Sequence, residues 1–272
     1  MLKLPVAESS LPKFASPPVV EVALSIMFAS LPRYRSAHAG RLWHQLKDQF
    51  PITEDQPEIA AAVEEPTAPA APPRLELMER PRLRTWFQSR DGTQLLQLQH
   101  DRIAYNWKKG ESGEPYPSYE AVEKRFRELL PIVLEFISRE QLGDVVPTQA
   151  EVTYVNHIRE RHSDFARVFT LYRGAEHMNF LPAMRDLRFH ARYSMDDDKG
   201  QMWGRLTADM QPAFIASDRT EILRLNMIAR GKPLSPSIDS ALDFLRIGHQ
   251  WIVLGFAEIT TPEMHAKWNR KQ

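Results

Sequence analysis

An internal repeat constrains the fold of this chain more strongly than any other feature of its sequence. The strings IVLEF and IVLGF occupy Ile132–Phe136 and Ile252–Phe256, so they start 120 residues apart, and the same distance separates Asn106 from Asn226. Each half also opens on a proline that is followed, after three residues, by Glu-Val. A spacing shared by several features predicts a fused duplication of one structural unit.

The repeat divides the chain into two α+β halves. We assign residues 1–16 to a loose leader, 17–142 to the first half and 143–272 to the second half. Residues 51–73 are rich in Pro, Ala and Glu, which predicts an irregular, exposed insert. Each half is predicted as a β-α-β-β-β-α unit, an antiparallel sheet with helices packed on one face, and a pseudo-twofold axis should relate the units. The repeat leaves open whether the sheets form one saddle or face each other across a groove.

The spacing of apolar residues places the main elements of each unit. Alternating apolar residues predict a strand at Val19–Phe28, and Asp91-Gly92 predicts a hairpin turn. Serine caps followed by apolar residues at helical spacing predict the closing helices Tyr119–Arg139 and Ile238–Ile259. Pro131 should kink or split the first of these helices.

Composition excludes several classes of protein. The chain has no cysteine, which excludes disulfides, thiolate nucleophiles, zinc ribbons and iron–sulfur sites. Lysines and arginines number 35, as do aspartates and glutamates, so the chain lacks the net basic charge typical of nucleic-acid and membrane binders. No apolar run is long enough to span a bilayer, and the first residues lack the apolar core of a signal peptide. We therefore expect a cytoplasmic protein that does not bind membranes.

Three segments of the chain resemble a sporadically distributed prokaryotic family of uncharacterised proteins. They are PPVVEVALSIMF near the start, DGTQLLQLQHDRIAYNW with the following YPSYEAVEKRF in the centre, and GHQWIVLGFAEITTPEMHAKW near the end. The resemblance extends over roughly residues 17–268, apart from the Pro/Ala-rich insert. The family has no established activity or catalytic residues, so the resemblance implies none here. Its patchy distribution implies a mobile or defence-associated gene cluster.

The sequence contains no motif for a catalytic site or a cofactor. It has no P-loop, no G-x-G-x-x-G, no G-x-S-x-G and no H-E-x-x-H, and its 11 glycines argue against phosphate-cradling loops. The nine histidines show none of the spacings common in metal sites, so neither a metal nor a cofactor is predicted. His249, beside the apolar face of the last helix, is interpreted as a structural histidine rather than a catalytic one.

Two pairs of polar strand residues are the candidate ligand-binding residues. Arg102 and Asn106 are four residues apart and therefore point to one face of their strand, as do Arg188 and Arg192. Together with strand aromatics they could bind an anion or stack an unpaired base. The structural alternative is that Asn106 closes a turn. Its recurrence as Asn226 favours that alternative, because a ligand site need not repeat whereas a turn should.

These observations favour a non-enzymatic binding or interaction protein. Its concave sheet, or the groove between its halves, would bind a protein partner, such as a toxin or effector encoded in the same gene cluster. A second interpretation is a nucleic-acid-binding protein that uses arginines and aromatics on its sheet faces. A third is an enzyme with an unrecognised site in the groove, which a deep pocket holding two titratable groups would favour. Homo-oligomerisation stays open.

Overall fold

Alternation along the first strand puts Val22, Leu24 and Ile26 on one face, and all three side chains are fully buried. The computed structural model describes residues 10–60, 82–111, 113–171, 180, 182 and 184–271. The first half contributes β1 (Val19–Phe28), α1 (Ser36–Leu46), β2 (Ile52–Pro57), β3 (Leu83–Gln88), β4 (Gln94–Gln99), β5 (Arg102–Lys108) and α2 (Tyr119–Arg139). The second half contributes β6 (Pro147–Ile158), α3 (Phe165–Val168), β7 (Phe189–Asp196), β8 (Met202–Phe214), β9 (Glu221–Gly231), α4 (Ile238–Ile259) and α5 (Pro262–Lys267).

These strands form a single antiparallel sheet in the order β2-β3-β4-β5-β1-β6-β9-β8-β7, which confirms the α+β class. The first strands of the two halves, β1 and β6, pair at its centre, with Leu24 opposite Val152. In each half the last strand lies beside the first, β5 beside β1 and β9 beside β6. The two halves therefore share one continuous sheet instead of facing each other across a groove.

The helices α1, α2 and α4 bury their apolar residues against one face of this sheet. Each closing helix contacts strands of its own half, α2 with β1 and β5, and α4 with β6, β8 and β9. Both closing helices begin where their serine caps predict, because Ser118 Oγ accepts from the amide of Ala121 and Ser237 Oγ from that of Ser240. Among the described residues, no helix combines the length and apolarity needed to cross a membrane.

Pro131 does not split α2, which runs unbroken through it. A proline removes one helical hydrogen bond and leaves a carbonyl without its donor. Pro131 is on the exposed side of the helix, where water can satisfy that carbonyl, while the buried Leu130 and Val133 hold the other side on the core. Packing therefore overrides the local preference for a break.

Two segments expected to be irregular are ordered where the structure describes them. Strand β2 lies within the 51–73 insert and pairs with β3, with Glu54 opposite Trp86; the rest of the insert from residue 61 lies outside the described residues. The expectation of a loose leader is wrong for residues 11–16. Leu11 is buried, Phe14 packs on Phe256, and Ser16 donates to the carbonyl of Trp268 at 3.1 Å.

Candidate functional site

A cavity of about 570 Å³ lies where the two halves and the N-terminal segment meet. We call it the Tyr–His cavity after the side chains that hydrogen-bond in its wall. The first half supplies the linker between β5 and α2, the second half supplies β6 and α4, and residues 11–15 and 17 complete the wall. The polar and aromatic lining residues used below are Tyr116, Tyr119, Glu120, Tyr154 and His249.

The local sequence fixes the first-half side of this cavity. Pro115 and Pro117 flank Tyr116 and hold the linker extended, since the residue before a proline avoids helical backbone angles. Ser118 then caps α2, which makes Tyr119 its first residue. Tyr116 therefore lies just before α2, and Tyr119 lies at its first position.

The second-half side is fixed by the close approach of α4 to the sheet. A Cβ on Gly248 would lie 3.2 Å from Ala229 Cβ and 3.3 Å from Val152 Cγ2, so only glycine fits there without displacing its neighbours. The neighbouring residue on α4 is His249, and the strand beneath it carries Tyr154. The glycine therefore brings the imidazole within reach of the strand.

Three side chains form a hydrogen-bonded chain through the cavity wall. The hydroxyls of Tyr116 and Tyr154 are 2.9 Å apart, and the Tyr154 hydroxyl is 2.8 Å from Nδ1 of His249. The ring of Tyr119 stacks on the His249 imidazole with a centroid distance of 3.9 Å and an interplanar angle of 2°. The Tyr119 hydroxyl is buried and has no partner among the described residues.

Burial keeps these groups uncharged at neutral pH. It lowers the pKa of His249 to about 4, although the nearby Glu120 carboxylate opposes the shift. Burial also raises the pKa values of Tyr116, Tyr119 and Tyr154 above the ordinary tyrosine range. Because every shift favours the neutral form, the wall offers hydrogen bonds without net charge.

A carboxylate lies at the exposed edge of the cavity. Partial burial raises the pKa of Glu120, but the Ser118 hydrogen bond, the backbone amide, His249 and Lys13 together lower it below its usual range. Glu120 is exposed, so its charge is solvated and distinct from the neutral interior.

The opposite side of the sheet, which we call the polar face, carries three of the four candidate residues that the sequence predicts, Arg102, Asn106 and Arg192. It comprises the strand side chains that point away from the helices. Its basic members are Arg84, Arg102, Lys108, Arg192, Arg205, Arg224 and Arg230, and its acidic members are Glu21, Glu54, Glu151 and Asp209. The arginines therefore share one face, as a nucleic-acid interface requires, but carboxylates lie among them, and Arg230 pairs with Glu151 at 2.5 Å.

The two predicted residue pairs do not form one site. Arg102 and Asn106 lie on β5 and are both about 5% exposed, whereas Arg192 lies on the edge strand β7 and Arg188 is exposed just before it. Four strands separate β5 from β7, which corresponds to roughly 24 Å at the usual strand spacing.

The interpretation of Asn106 as a turn residue is wrong. It lies inside β5, where its Oδ1 accepts from Gln97 Nε2 at 2.6 Å and its Nδ2 donates to Glu21 Oε1 at 2.5 Å. Asn226 is likewise inside β9, opposite Val155. Both asparagines are polar side chains of the polar face, and the strands continue beyond them.

Sequence patterns give no sign of the Tyr–His cavity. Tyr116, Tyr154 and His249 are far apart in the chain, and no spacing rule joins them. The hydrogen bond to Tyr154 fits the interpretation of His249 as a structural histidine, and His249 also lines the cavity. No protein-family model, curated protein or solved structure matches the chain, so the family resemblance stays a prediction. Among the described residues, no three His, Asp or Glu side chains come together as a metal site.

Proposed function

We propose that this chain is a non-enzymatic binding protein whose Tyr–His cavity holds a small neutral molecule. That molecule would have a largely apolar body and a group that both donates and accepts hydrogen bonds. The observation that carries this proposal is the neutral chain Tyr116–Tyr154–His249 in the cavity wall. A volume of about 570 Å³ lies within the usual range for small-molecule sites.

The hydrogen-bonded chain supports a ligand with both kinds of polar group. If Tyr116 donates to Tyr154 and Tyr154 to Nδ1 of His249, Nε2–H is left as a donor and the Tyr116 oxygen as an acceptor. If the hydrogen bonds run in the opposite direction, the Tyr116 hydroxyl is left as the donor and Nε2 of His249 as the acceptor. In both directions one end donates and the other accepts, as an amide, phenol or un-ionised acid would require.

An enzyme is the second candidate, because the Tyr–His cavity holds titratable groups, as that interpretation expects. The observations support an enzyme less well than a binding protein. With a pKa of about 4, His249 is a weak base, and the raised tyrosine pKa values make those hydroxyls weak acids. General acid–base catalysis works best with groups that titrate near the working pH.

The interaction with a protein partner and the membership of a defence-type gene cluster stay predictions. No contact among the described residues bears on either of them. A binding protein that signals occupancy of its cavity to a partner is compatible with the proposal, since the cavity joins both halves and the N-terminal segment.

Ligand binding can be tested with the neutral fluorescent amine N-phenyl-1-naphthylamine. We expect a saturable rise in its fluorescence with the wild-type protein. Val253→Trp, which fills the cavity from α4, should abolish the rise, whereas Glu258→Trp, on an exposed position of the same helix, should leave it intact. Tyr116→Phe should weaken binding about fivefold, equivalent to about 1 kcal/mol for one hydrogen bond. Binding that survives Val253→Trp would refute the cavity as the site.

The duplication is proposed on the same grounds as in the sequence, with added support from the topology. Asn106 and Asn226 lie on the last strand of their halves, and Ile132 and Ile252 on the closing helices. Glu21 faces Lys108 on β5, and Glu151 faces Arg230 on β9, which are equivalent acid–base positions. Matching these pairs displaces Asn106 from Asn226 by two residues, so the two units would have diverged in register.

If the two halves are equivalent units, the protein should still fold when their order along the chain is exchanged. The first and last segments that the structure describes lie side by side, because Lys271 donates to the carbonyl of Lys13 at 2.7 Å. A circular permutant that starts at Asp144 and joins the native termini by a flexible linker should therefore unfold cooperatively in urea. An unfolded permutant would count against two equivalent units.

A further inference from the structure

Arg102 is a buried cation, and no residue that the structure describes forms an ion pair or a side-chain hydrogen bond with it. Its side chain lies on the polar face and the residue is 5% exposed. Nε is buried and unpartnered, and among the described residues no carboxylate lies within 4 Å of the guanidinium. A buried charge is costly unless an opposite charge or hydrogen bonds compensate it. The surroundings of Arg102 therefore favour the binding of an anion.

The carboxylates near Arg102 are engaged elsewhere. Glu151 accepts from both Nε and Nη2 of Arg230, each at 2.5 Å. Asp101 Oδ1 accepts from Gln99 Nε2 at 2.5 Å. Burial is the main cause that lowers the pKa of Arg102, and the charges of Glu151 and Asp101 only partly oppose it.

A second arginine adds to the uncompensated positive charge. Arg84 donates from Nη1 to Gln97 at 2.9 Å, but its Nε is buried and unpartnered, and the repulsion by Arg102 contributes to lowering its pKa after burial. Glu151 offsets Arg230 and the carboxylate of Asp101 acts on Arg102, so these charges together with Arg84 leave a net positive charge.

Other unpartnered polar atoms share this face. The Ser25 hydroxyl, on the strand next to β5, is 3% exposed and has no partner. Of the nine buried side-chain atoms without a partner among the described residues, five belong to polar-face residues. Those residues are Ser25, Arg84, Arg102, Arg224 and Asn226. Buried polar atoms normally have partners, so the unpartnered atoms of this face are available to water or to a bound species.

We propose that Arg102 is the centre of a binding site for a small oxyanion of the phosphate class. The terminal nitrogens of Arg102 would donate to two oxygens of the anion, as planar guanidinium groups do with phosphate. Arg84 supplies the second positive charge, and the Ser25 hydroxyl supplies a further donor from the neighbouring strand. The site is separate from the Tyr–His cavity, which lies on the helix side of the sheet, and does not depend on the function proposed for it.

The test is a thermal-shift and calorimetric titration with inorganic phosphate against chloride of matched ionic strength. Wild-type protein should show a phosphate-specific rise in Tm. Arg102→Met should lose it and weaken phosphate binding by about 10- to 100-fold, as expected for loss of hydrogen bonds to a charged group. Arg246→Met, on an exposed position of α4, is the matched control and should behave as wild type.

A stability measurement separates this site from a structural role. Without phosphate, Arg102→Met should be at least as stable as wild type, because it removes an unpaired buried charge. A large loss of stability in phosphate-free buffer would mean that Arg102 is held by partners within the protein and would overturn the proposal. So would the absence of a phosphate-specific Tm shift in the wild type, or an equal shift in Arg102→Met.

Competition identifies the source of the phosphate once binding is established. A nucleoside diphosphate that displaces inorganic phosphate would assign the site to small phosphorylated molecules. Displacement only by a single-stranded oligonucleotide would assign it to nucleic-acid backbone, the second interpretation of the sequence. Both results support the oxyanion site.

Discussion

Tyr154 and His249 are joined by a 2.8 Å hydrogen bond that ties the central strand β6 to the closing helix α4. The same tyrosine hydroxyl meets Tyr116 from the other half, so one buried oxygen connects the two halves of the protein. Its neighbours are uncharged at neutral pH, which makes the connection dependent on hydrogen bonding rather than on ion pairs.

Removing that oxygen should destabilise the protein. Tyr154→Phe keeps the ring but removes the partner of both Tyr116 and His249, and we expect a loss of about 1–3 kcal/mol in the free energy of unfolding. Tyr105→Phe is the control, because its buried hydroxyl has only a 3.4 Å contact with Gln94. Urea denaturation measures both. Equal losses in the two variants would contradict a special role for Tyr154.

His249 should make stability depend on pH between about 4 and 6.5. Its pKa is lowered to about 4 in the folded protein from an unfolded value of 6.5, so the unfolded state binds the proton first as pH falls. The stability from the neutral imidazole is therefore fully present above pH 6.5 and is lost on the way down to pH 4, by at most about 3 kcal/mol.

The variant His249→Gln isolates this effect, because carboxylates that titrate in the same range are common to both proteins. The loss of unfolding free energy between neutral pH and about pH 4.5 should be smaller in the variant than in the wild type. Parallel pH profiles from urea melts would show that the imidazole titrates normally.

The repeated phenylalanines of the closing helices should be core residues. Phe136 is fully buried, and Phe256 is 7% exposed and packs against Phe14 and Trp268. Phe→Ala at either position should cost about 3–5 kcal/mol of unfolding free energy, while Glu135→Ala, on the exposed side of α2, should change it little. Losses under about 1 kcal/mol at both phenylalanines would contradict this packing.

Substitution of alanine for Gly231 and for Gly40 should change the stability of the protein in opposite directions. A Cβ on Gly231 would lie 2.5 Å from the carbonyl oxygen of Trp203 and 2.6 Å from Gly204 Cα, so backbone would have to move and the protein should be destabilised. A Cβ on Gly40, within α1, meets nothing within 4 Å. Gly40→Ala should therefore stabilise the helix by about 0.5–1 kcal/mol. Thermal melts of the two variants compare the signs directly.

Local patterns in the sequence determined most of the elements. Alternation placed β1 at Val19–Phe28, serine caps and helical spacing placed α2 and α4, and Asp91-Gly92 marked the turn between β3 and β4. Gly92 has the positive φ, 70°, that such a turn requires. These signals are readable because they depend on residues within a few positions of one another.

The tertiary structure alone decided how the elements combine. Pairing of β1 with β6 across some 130 residues made one sheet, and packing on the core carried α2 through Pro131. The Tyr–His cavity and the unpartnered Arg102 depend on side chains from different strands and helices meeting in space. Solvation, burial and partner choice at such sites are set by long-range contacts, and a linear sequence specifies those contacts only through the complete fold.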